Sequence, residues 1–149
     1  MDAAFWRGRR VLITGHTGFK GGWLSLWLHQ LGAQVHGLSL PAPTGPNLHS
    51  LIAPHAFAAE TWCDIRHLEP LCEAVAQARP EFVFHLAAQP IVRRSYAEPL
   101  ETLQTNVLGT ANLLEAVRRA RLACPVVVVT SDKCYENREW VYGYREEDP

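Results

Sequence analysis

The sequence feature that most constrains the fold is a glycine-rich turn placed directly between a predicted strand and a predicted helix. The strand is RVLIT at residues 10–14, and the turn TGHTGFKG carries Gly15, Gly18 and Gly21 at regular spacing. The helix that follows ends at Gly32 and has apolar residues at i, i+3, i+4 and i+7, which are Leu24, Trp27, Leu28 and Leu31. A strand, a glycine turn and a helix in direct succession predict a site for the pyrophosphate of a dinucleotide.

Each glycine of this turn has a separate predicted role. Gly15 permits the tight turn, Gly18 lets the backbone approach the pyrophosphate, and Gly21 allows close packing of the helix. Phe19 and Lys20 lie in the same turn, where the lysine adds positive charge to that of the helix N-terminus. The alternative is a glycine-rich turn that binds no ligand.

The remaining strand patterns predict an α/β fold. Four further apolar segments, QVHGLSL, FAAETWCD, EFVFHLAA and PVVVVTS, alternate with helical patterns. That alternation predicts a Rossmann-type, doubly wound parallel sheet with five strands present and the sheet incomplete. Because PVVVVTS is apolar at successive positions, we expect this strand to be buried on both faces.

Two of the helices can be placed by their apolar faces. The first follows Asp64, which we expect to cap it, and its inner face is predicted to be Leu68, Leu71, Cys72 and Val75. The second runs from about Pro99 to about Ala120, with a predicted inner face of Leu103, Val107, Thr110, Leu114 and Val117. The final segment ENREWVYGYREEDP has no clear period and predicts a loop.

Composition excludes several classes of partner. The chain has 149 residues, a net charge of −1, 48% hydrophobic and 19% charged residues, so it predicts one soluble domain with no nucleic acid or membrane as partner. The start of the chain has no signal-peptide pattern and no segment is long enough to cross a bilayer, which predicts a cytoplasmic protein with reduced thiols. Seven histidines without ligand spacing predict no metal site, and His16 is expected to face water.

The end of the second strand bears on the choice of dinucleotide. A carboxylate that binds a ribose 2′-hydroxyl is expected there, but the strand ends at Ser39. No arginine or lysine is present to bind a 2′-phosphate either. Since the missing cation argues against NADP more strongly than the missing acid argues against NAD, we predict NAD.

Several motifs together resemble a known enzyme family. TGHTGFKG, the CDI of residues 63–65, HLAAQ at 85–89, TNVLGT at 105–110 and VVTSDKCYEN occur in the order found in the extended short-chain dehydrogenase/reductases. More narrowly, GHTGFKGGWLSLWL, QPIVRRSY and TSDKCYENREWVYGYREEDP resemble the NAD-dependent 4,6-dehydratases that act on CDP-glucose. The resemblance spans essentially the whole chain and implies an elimination of water in which a hydride leaves C4 of the glucose and returns to C6.

The resemblance also implies roles for individual residues. Thr130 would hold the region of the sugar 4-hydroxyl, and Asp132 would be the acid at C6. The cofactor would lie against the glycine turn, near Asp64 and Ile65 at the adenine, and along Leu86, Ala87 and Ala88. Asn106 is placed beside the cofactor site through a bond to a nearby backbone group, with an ordinary exposed asparagine as the alternative. Arg93, Arg94 and Ser95 would meet substrate phosphates or simply face water.

Lys133 occupies a position at which most similar dehydratases have a glutamate. A lysine is a poor base unless burial or a nearby cation lowers its pKa. We interpret Lys133 as the base at C5 or as electrostatic support for the enolate, and a solvated Asp132–Lys133 pair is the alternative. Neighbouring residues of a strand point to opposite faces, so Thr130, Asp132 and Lys133 can reach one sugar only if the chain turns there.

The Tyr-x-x-x-Lys pair of this family is missing from the sequence. Neither of the two lysines, Lys20 and Lys133, follows a tyrosine by four residues. Residues 1–149 are therefore expected to be the N-terminal NAD-binding domain of a longer enzyme, without its substrate domain, inactive by itself and a homo-oligomer, with dimers through the long helices. A sugar-nucleotide 4-epimerase and a non-catalytic NAD-binding module are the alternatives.

Overall fold

The computed structural model describes residues 2–149, except for the side chain of Asp132, and contains one five-stranded parallel sheet. The strand order is β3-β2-β1-β4-β5, so the direction of winding reverses between β1 and β4. This order confirms the doubly wound parallel sheet. The strands are β1 (Arg10–Thr14), β2 (Gln34–Ser39), β3 (Ala59–Trp62), β4 (Phe82–His85) and β5 (Val126–Val128).

Helices cover both faces of the sheet. They are α1 (Ala3–Trp6), α2 (Phe19–Gln30), α3 (Leu48–Ala56), α4 (Leu68–Ala78), α5 (Val92–Ala97), α6 (Pro99–Leu103), a π-helical segment (Gln104–Leu108) and α7 (Gly109–Arg119). A single 3-10 turn, Asp132–Cys134, follows β5. Helix α3 was not predicted; it begins after Asn47, whose side chain accepts a hydrogen bond of 2.8 Å from the backbone N–H of Ser50.

Two apolar cores lie on opposite faces of the sheet because side chains alternate along β1. Leu12 points to one face, where it packs in a cluster with residues of α4 and α7 that include Leu71 and Leu113. Val11 and Ile13 point to the other, where they pack with Trp6 and Leu28. The predicted faces of α2 and α4 are largely confirmed, but Trp27 is 49% exposed. Only Leu28 of the predicted α2 face is fully buried, because this helix approaches the sheet closely at Gly21 and Ser25.

The end of α2 forms as predicted. Gly32 has a φ of +86°, which glycine adopts without strain. Its N–H donates to the His29 carbonyl at 2.8 Å, and the Ala33 N–H donates to the Leu28 carbonyl at 3.0 Å. These two bonds satisfy carbonyls at the helix C-terminus and turn the chain into β2.

The expected cap of α4 is wrong. Asp64 lies before the helix, where its carboxylate accepts a hydrogen bond of 2.9 Å from the Arg66 backbone N–H. His67 occupies the N-cap position and makes no side-chain capping bond. The Asp64 side chain therefore stabilises a separate turn between β3 and α4 and does not cap the helix.

The inner face predicted for the long helix is confirmed at Val117 but is wrong at three of its leucine and valine positions. Gly109, Leu113, Ala116 and Val117 are buried, whereas Leu103, Val107 and Leu114 are exposed. The helix approaches the segment after β3 at a small residue: a Cβ on Gly109 would lie 2.6 Å from Cδ1 of Ile65. Close approach therefore selects the side of the helix with glycine and alanine, and the larger apolar side chains remain outside.

Strand β5 differs from its prediction as well. Its only strand neighbour is β4. Val126 packs at the margin of the core, but Val127 and Val128 are 47% and 36% exposed. The expectation that β5 is buried on both faces is therefore wrong for the described residues. As the last strand of the described sheet, β5 has a strand neighbour on one side only, which leaves Val127 and Val128 partly exposed.

The segment after the 3-10 turn is a loop, as predicted. Its aromatic residues stack on one another, with ring centroids of Tyr135 and Tyr144 at 5.1 Å and those of Trp140 and Tyr142 at 4.9 Å. Across residues 2–149, no helix combines the length and the apolar character needed to cross a membrane.

Adjacent leucines of α7 provide a test of its inner face. We expect Leu113→Ala to lower the free energy of unfolding by about 2–5 kcal/mol, because Leu113 is fully buried in the core. Leu114→Ala, the matched control, should cost less than about 1 kcal/mol. Urea unfolding of the 149-residue chain measures both, and a larger loss for Leu114→Ala would mean that the face is assigned wrongly.

Candidate functional site

The glycine turn lies between the end of β1 and the start of α2. Gly15 has a φ of +75° and donates its N–H to the Leu38 carbonyl at 2.8 Å, while the Gly18 N–H donates to the Gly15 carbonyl at 3.1 Å. A Cβ on Gly21 would lie 2.1 Å from the Gly15 carbonyl oxygen, so only glycine fits there. Gly18 is the N-cap of α2 and caps it with no side chain. The N–H groups of the first turn of α2 are thus available to an anion.

The end of β4 contacts this turn directly. A Cβ on Gly15 would lie 2.7 Å from the Ala87 nitrogen. The Thr14 hydroxyl accepts hydrogen bonds of 3.2 Å from the N–H groups of both Leu86 and Ala87. The edge of the sheet between β1 and β4, where the winding reverses, is therefore formed by closely packed backbone atoms, and doubly wound sheets bind ligands in the cleft outside this point.

A buried histidine aligns the two strands. Thr14 Oγ lies 2.6 Å from Nδ1 of His85, and Nε2 of His85 lies 3.0 Å from Oγ of Thr110. Because the Thr110 hydroxyl donates to the Asn106 carbonyl at 2.7 Å, it accepts from Nε2–H, and Thr14 donates to Nδ1. Burial lowers the pKa of His85, which keeps the ring neutral and suits this tautomer. No sequence pattern identified His85, since a lone histidine at a strand end has no distinguishing spacing.

Asn106 makes the backbone contact that was predicted for it. Its Oδ1 accepts from the Gln89 N–H at 2.7 Å, and its Nδ2 donates to the Gln89 carbonyl at 3.0 Å. The pair of bonds attaches the segment after β4 to the π-helical segment. Asn106 therefore holds one wall of the cleft in place, and a direct contact with cofactor stays a prediction.

Asp64 and Ile65 lie beyond β3, on the other side of the cleft. The Arg66 side chain forms an ion pair of 2.6 Å with Asp64, and this hydrogen bonding lowers the pKa of the carboxyl. Asn112 of α7 donates to the Ile65 carbonyl at 2.9 Å. These contacts fix the backbone of the segment, and its role beside an adenine is untested.

Ser39 is the last residue of β2, as predicted, and its hydroxyl is engaged within the protein. It lies 2.9 Å from the Thr17 hydroxyl, which in turn donates to the Leu40 carbonyl at 3.0 Å. Ser39 therefore donates to Thr17 and ties the glycine turn to the end of β2.

The predicted catalytic segment lies at the same sheet edge, beyond β5. Val128 pairs with His85, so Thr130 follows β5 near the point where Leu86 follows β4. The chain turns at residues 132–134, which meets the condition for Thr130 and Lys133 to reach one ligand. Both residues are exposed, and the side chain of Asp132 lies outside what the structure describes.

The arginine pair on α5 is exposed. Arg94 forms an ion pair of 2.7 Å with Glu101, and the Ser95 hydroxyl donates to the Val92 carbonyl at 2.6 Å. Of the polar residues proposed to meet substrate phosphates, Arg94 and Ser95 thus have partners within the chain.

His16 does not face water, which corrects the expectation for it. Its side chain is fully buried, and Nε2 lies 2.8 Å from Oε1 of Glu60. The same oxygen lies 2.5 Å from Nε2 of His49. Burial lowers the pKa of His16, against the opposing effect of the Glu60 carboxylate. Gly37 makes room for the ring, since a Cβ there would lie 2.6 Å from it. Because His16, His49 and Glu60 are far apart in the sequence, no local sequence pattern predicted that they would lie together.

Comparisons with known proteins agree with this architecture. The family model described as GDP-mannose 4,6 dehydratase matches residues 12–149. CDP-glucose 4,6-dehydratase from Salmonella typhimurium strain LT2 is 53% identical over 149 residues, covering 100% of this chain and 42% of that protein. CDP-paratose 2-epimerase from Salmonella typhi is 33% identical over 140 residues, covering 92% of this chain and 40% of that protein.

A solved structure gives the same result. UDP-glucose 4-epimerase from Thermus thermophilus, in complex with NAD, is 33% identical and superimposes with a TM-score of 0.67. The match covers 76% of this chain and 35% of that one. The chain thus spans about two fifths of the length of the curated relatives described above.

A pair of glycines with the same backbone conformation tests the close approach in the cleft. Gly8 and Gly15 have φ angles of +74° and +75°, so alanine strains both by about 1–2 kcal/mol. No atom lies within 4 Å of a Cβ on Gly8, whereas a Cβ on Gly15 meets backbone atoms of residues 86 and 87. We expect Gly15→Ala to lower the free energy of unfolding by about 1–3 kcal/mol more than Gly8→Ala. If both variants lost the same free energy of unfolding in urea, Gly15 would not lie close to the backbone of residues 86 and 87 as described.

The neutral state of His85 predicts a pH dependence of stability. Because burial lowers its pKa below the ordinary 6.5, the unfolded chain takes up a proton at a pH where the folded chain does not. The free energy of unfolding should therefore fall as pH decreases below about 6.5, by up to about 1.4 kcal/mol for each unit of pKa difference. The lowered pKa values of His16 and His36 act in the same direction.

Urea unfolding at pH 7.0 and 5.5 measures this effect. The decrease in the free energy of unfolding from pH 7.0 to pH 5.5 should be smaller in His85→Gln than in the wild-type chain. The control His55→Gln replaces an exposed histidine of α3 and should show the wild-type decrease. An unchanged loss in His85→Gln would show that His85 is not held neutral.

Proposed function

The chain belongs to the GDP-mannose 4,6-dehydratase family, and we propose that it is the cofactor-binding part of an NAD-dependent 4,6-dehydratase acting on CDP-glucose. The observation that carries the proposal is the 53% identity to CDP-glucose 4,6-dehydratase over all 149 residues. That match spans both the glycine turn and the segment TSDKCYE, the two places where a dehydratase needs specific chemistry.

The cleft between β1 and β4 fits a dinucleotide. Gly15, Gly18 and Gly21 leave the turn without side chains, and the uncapped N-terminus of α2 offers N–H groups and partial positive charge to a pyrophosphate. No arginine or lysine stands at the end of β2 beside Ser39, which favours NAD over NADP. Bound NAD would supply the acceptor and donor of hydride.

The chain's own residues would position the sugar and move protons. The Thr130 hydroxyl would hold the sugar near its 4-hydroxyl group. Asp132, when protonated, would donate a proton to the C6 hydroxyl as it leaves. Lys133 would accept the C5 proton or stabilise the negative charge that its loss creates, and both tasks need an amine close to the ring.

The rest of the machinery would lie in the remainder of a longer protein. The tyrosine and lysine that the family uses at the 4-hydroxyl are absent from this sequence. Residues 1–149 would be the NAD-binding domain, and a substrate domain would read the nucleotide of CDP-glucose. A cytoplasmic location would suit a reaction of soluble sugar nucleotides.

An exposed apolar stripe on the long helix supports a homo-oligomer. Four large side chains face away from the sheet along α6, the π-helical segment and α7: Leu100, Leu103, Val107 and Leu114. Such a stripe is stabilised by burial against another apolar surface. We propose that two copies pair through these helices.

A 4-epimerase is the second candidate, because the UDP-glucose 4-epimerase from Thermus thermophilus is 33% identical to this chain over the matched residues. The two activities differ in their need for an acid at C6. Asp132→Asn should abolish a dehydration and have little effect on an epimerisation.

The test uses the full-length protein with CDP-glucose and NAD, and mass spectrometry detects the loss of one water from the sugar nucleotide. We expect Lys133→Met and Asp132→Asn each to lower kcat at least about 100-fold. Glu146→Gln, an exposed acid of the terminal loop, is the control and should leave kcat unchanged.

The other outcomes separate the alternatives. Full activity of Lys133→Met would reject the role of this lysine. A product of unchanged mass and altered stereochemistry would identify an epimerase, and NAD binding without any turnover would identify a binding module.

A further inference from the structure

Three side chains outside the proposed reaction form a compact set of metal ligands. The ligand atoms of His16, His49 and Glu60 all lie within 4.8 Å of one another. We propose that they bind a divalent transition-metal ion of the Zn²⁺ type. The proposal is independent of the dehydratase activity.

The three ligands come from separate elements that the fold holds together. His16 lies in the glycine turn after β1, Glu60 lies in β3, and His49 lies in the first turn of α3. The Asn47 cap orients that first turn by accepting the Ser50 N–H. The ligands are therefore placed by tertiary structure before any ion arrives, which reduces the entropic cost of binding.

The chemistry of the donors selects the kind of ion. The His16 imidazole is fully buried and directs Nε2 toward the Glu60 carboxylate, which places a nitrogen ligand beside an oxygen ligand. Two imidazoles and one carboxylate suit Zn²⁺, Co²⁺ and Ni²⁺, whereas Mg²⁺ and Ca²⁺ prefer oxygen ligands. A divalent ion would also balance the negative charge of the Glu60 carboxylate, which both histidines contact.

The present distances are those of hydrogen bonds. Glu60 Oε1 lies 2.8 Å from Nε2 of His16 and 2.5 Å from Nε2 of His49. Ligand bonds of about 2.0–2.2 Å in tetrahedral geometry separate ligand atoms by roughly 3.4 Å. The carboxylate would therefore move back by about 0.5–1 Å. Each imidazole would carry its proton on Nδ1 instead of Nε2, and three coordinate bonds, from Glu60, His16 and His49, would replace the two hydrogen bonds.

Access and surroundings also fit an ion. The side chains of His49 and Glu60 are 14% and 23% exposed, so an ion can reach them from solvent. Phe57 and Trp62 flank His16, with ring centroids at 5.0 and 5.7 Å. This aromatic shell lowers the local dielectric and strengthens the attraction between the ion and the carboxylate. A bound ion would join the glycine turn to β3 and α3.

The experiment measures binding without any enzyme assay. The full-length protein is stripped of metal with a chelator, dialysed and titrated with Co²⁺, whose visible absorption reports its coordination. We expect ligand-field bands that saturate at one Co²⁺ ion per chain. The bands should disappear when Zn²⁺ is added, because Zn²⁺ displaces Co²⁺, and they should remain when Mg²⁺ is added. Thermal unfolding should shift to higher temperature with Zn²⁺.

Variants connect the signal to these residues. Glu60→Gln and His49→Ala should each raise the Kd for Co²⁺ at least about 100-fold, since loss of even an outer-shell partner costs about 10–100-fold. His55→Ala, which removes an exposed histidine from the same helix, should keep the wild-type Kd. Circular dichroism confirms that each variant is folded. Absence of the bands in the wild-type protein, or their persistence in both Glu60→Gln and His49→Ala, would overturn the proposal.

Discussion

The structure depends on one close contact between two pieces of backbone. The turn after β1 passes directly against the start of the segment after β4, and α2 begins against the same turn. Side chains at Gly15 or Gly21 would overlap backbone atoms that cannot move. Because the contact is made by main-chain atoms, it brings the N-terminus of α2 close to the point where the sheet reverses its winding.

Buried polar contacts keep that cleft in register. Thr14 bonds to two N–H groups beyond β4, and His85 connects Thr14 to Thr110 on the long helix. Every member of this network has a partner, and a neutral His85 can satisfy all of them at once. On the opposite side of the turn, Thr17 bonds to Ser39, and His16 is tied to Glu60. The turn is thus held from both sides, which limits the rearrangement needed when a dinucleotide binds.

Two surfaces away from the glycine turn, on β5 and on the long helix, expose apolar side chains. Val127, Val128 and the leucines of the long helix are exposed although their side chains are apolar. Such surfaces are suited to burial against another apolar surface.

Local patterns in the sequence were enough to predict the five strands, the helix after each of β1, β3 and β4, the glycine turn and the helix end at Gly32, because each depends on residue spacing and backbone freedom. They also predicted the bond from Asn106 to a backbone group beside the cleft. Tertiary packing was needed to establish which face of the long helix is buried, that Asp64 pairs with Arg66 rather than capping α4, and that His16 meets Glu60 and His49. Those outcomes depend on close packing and on contacts between residues far apart in the chain, which no local pattern of residues records.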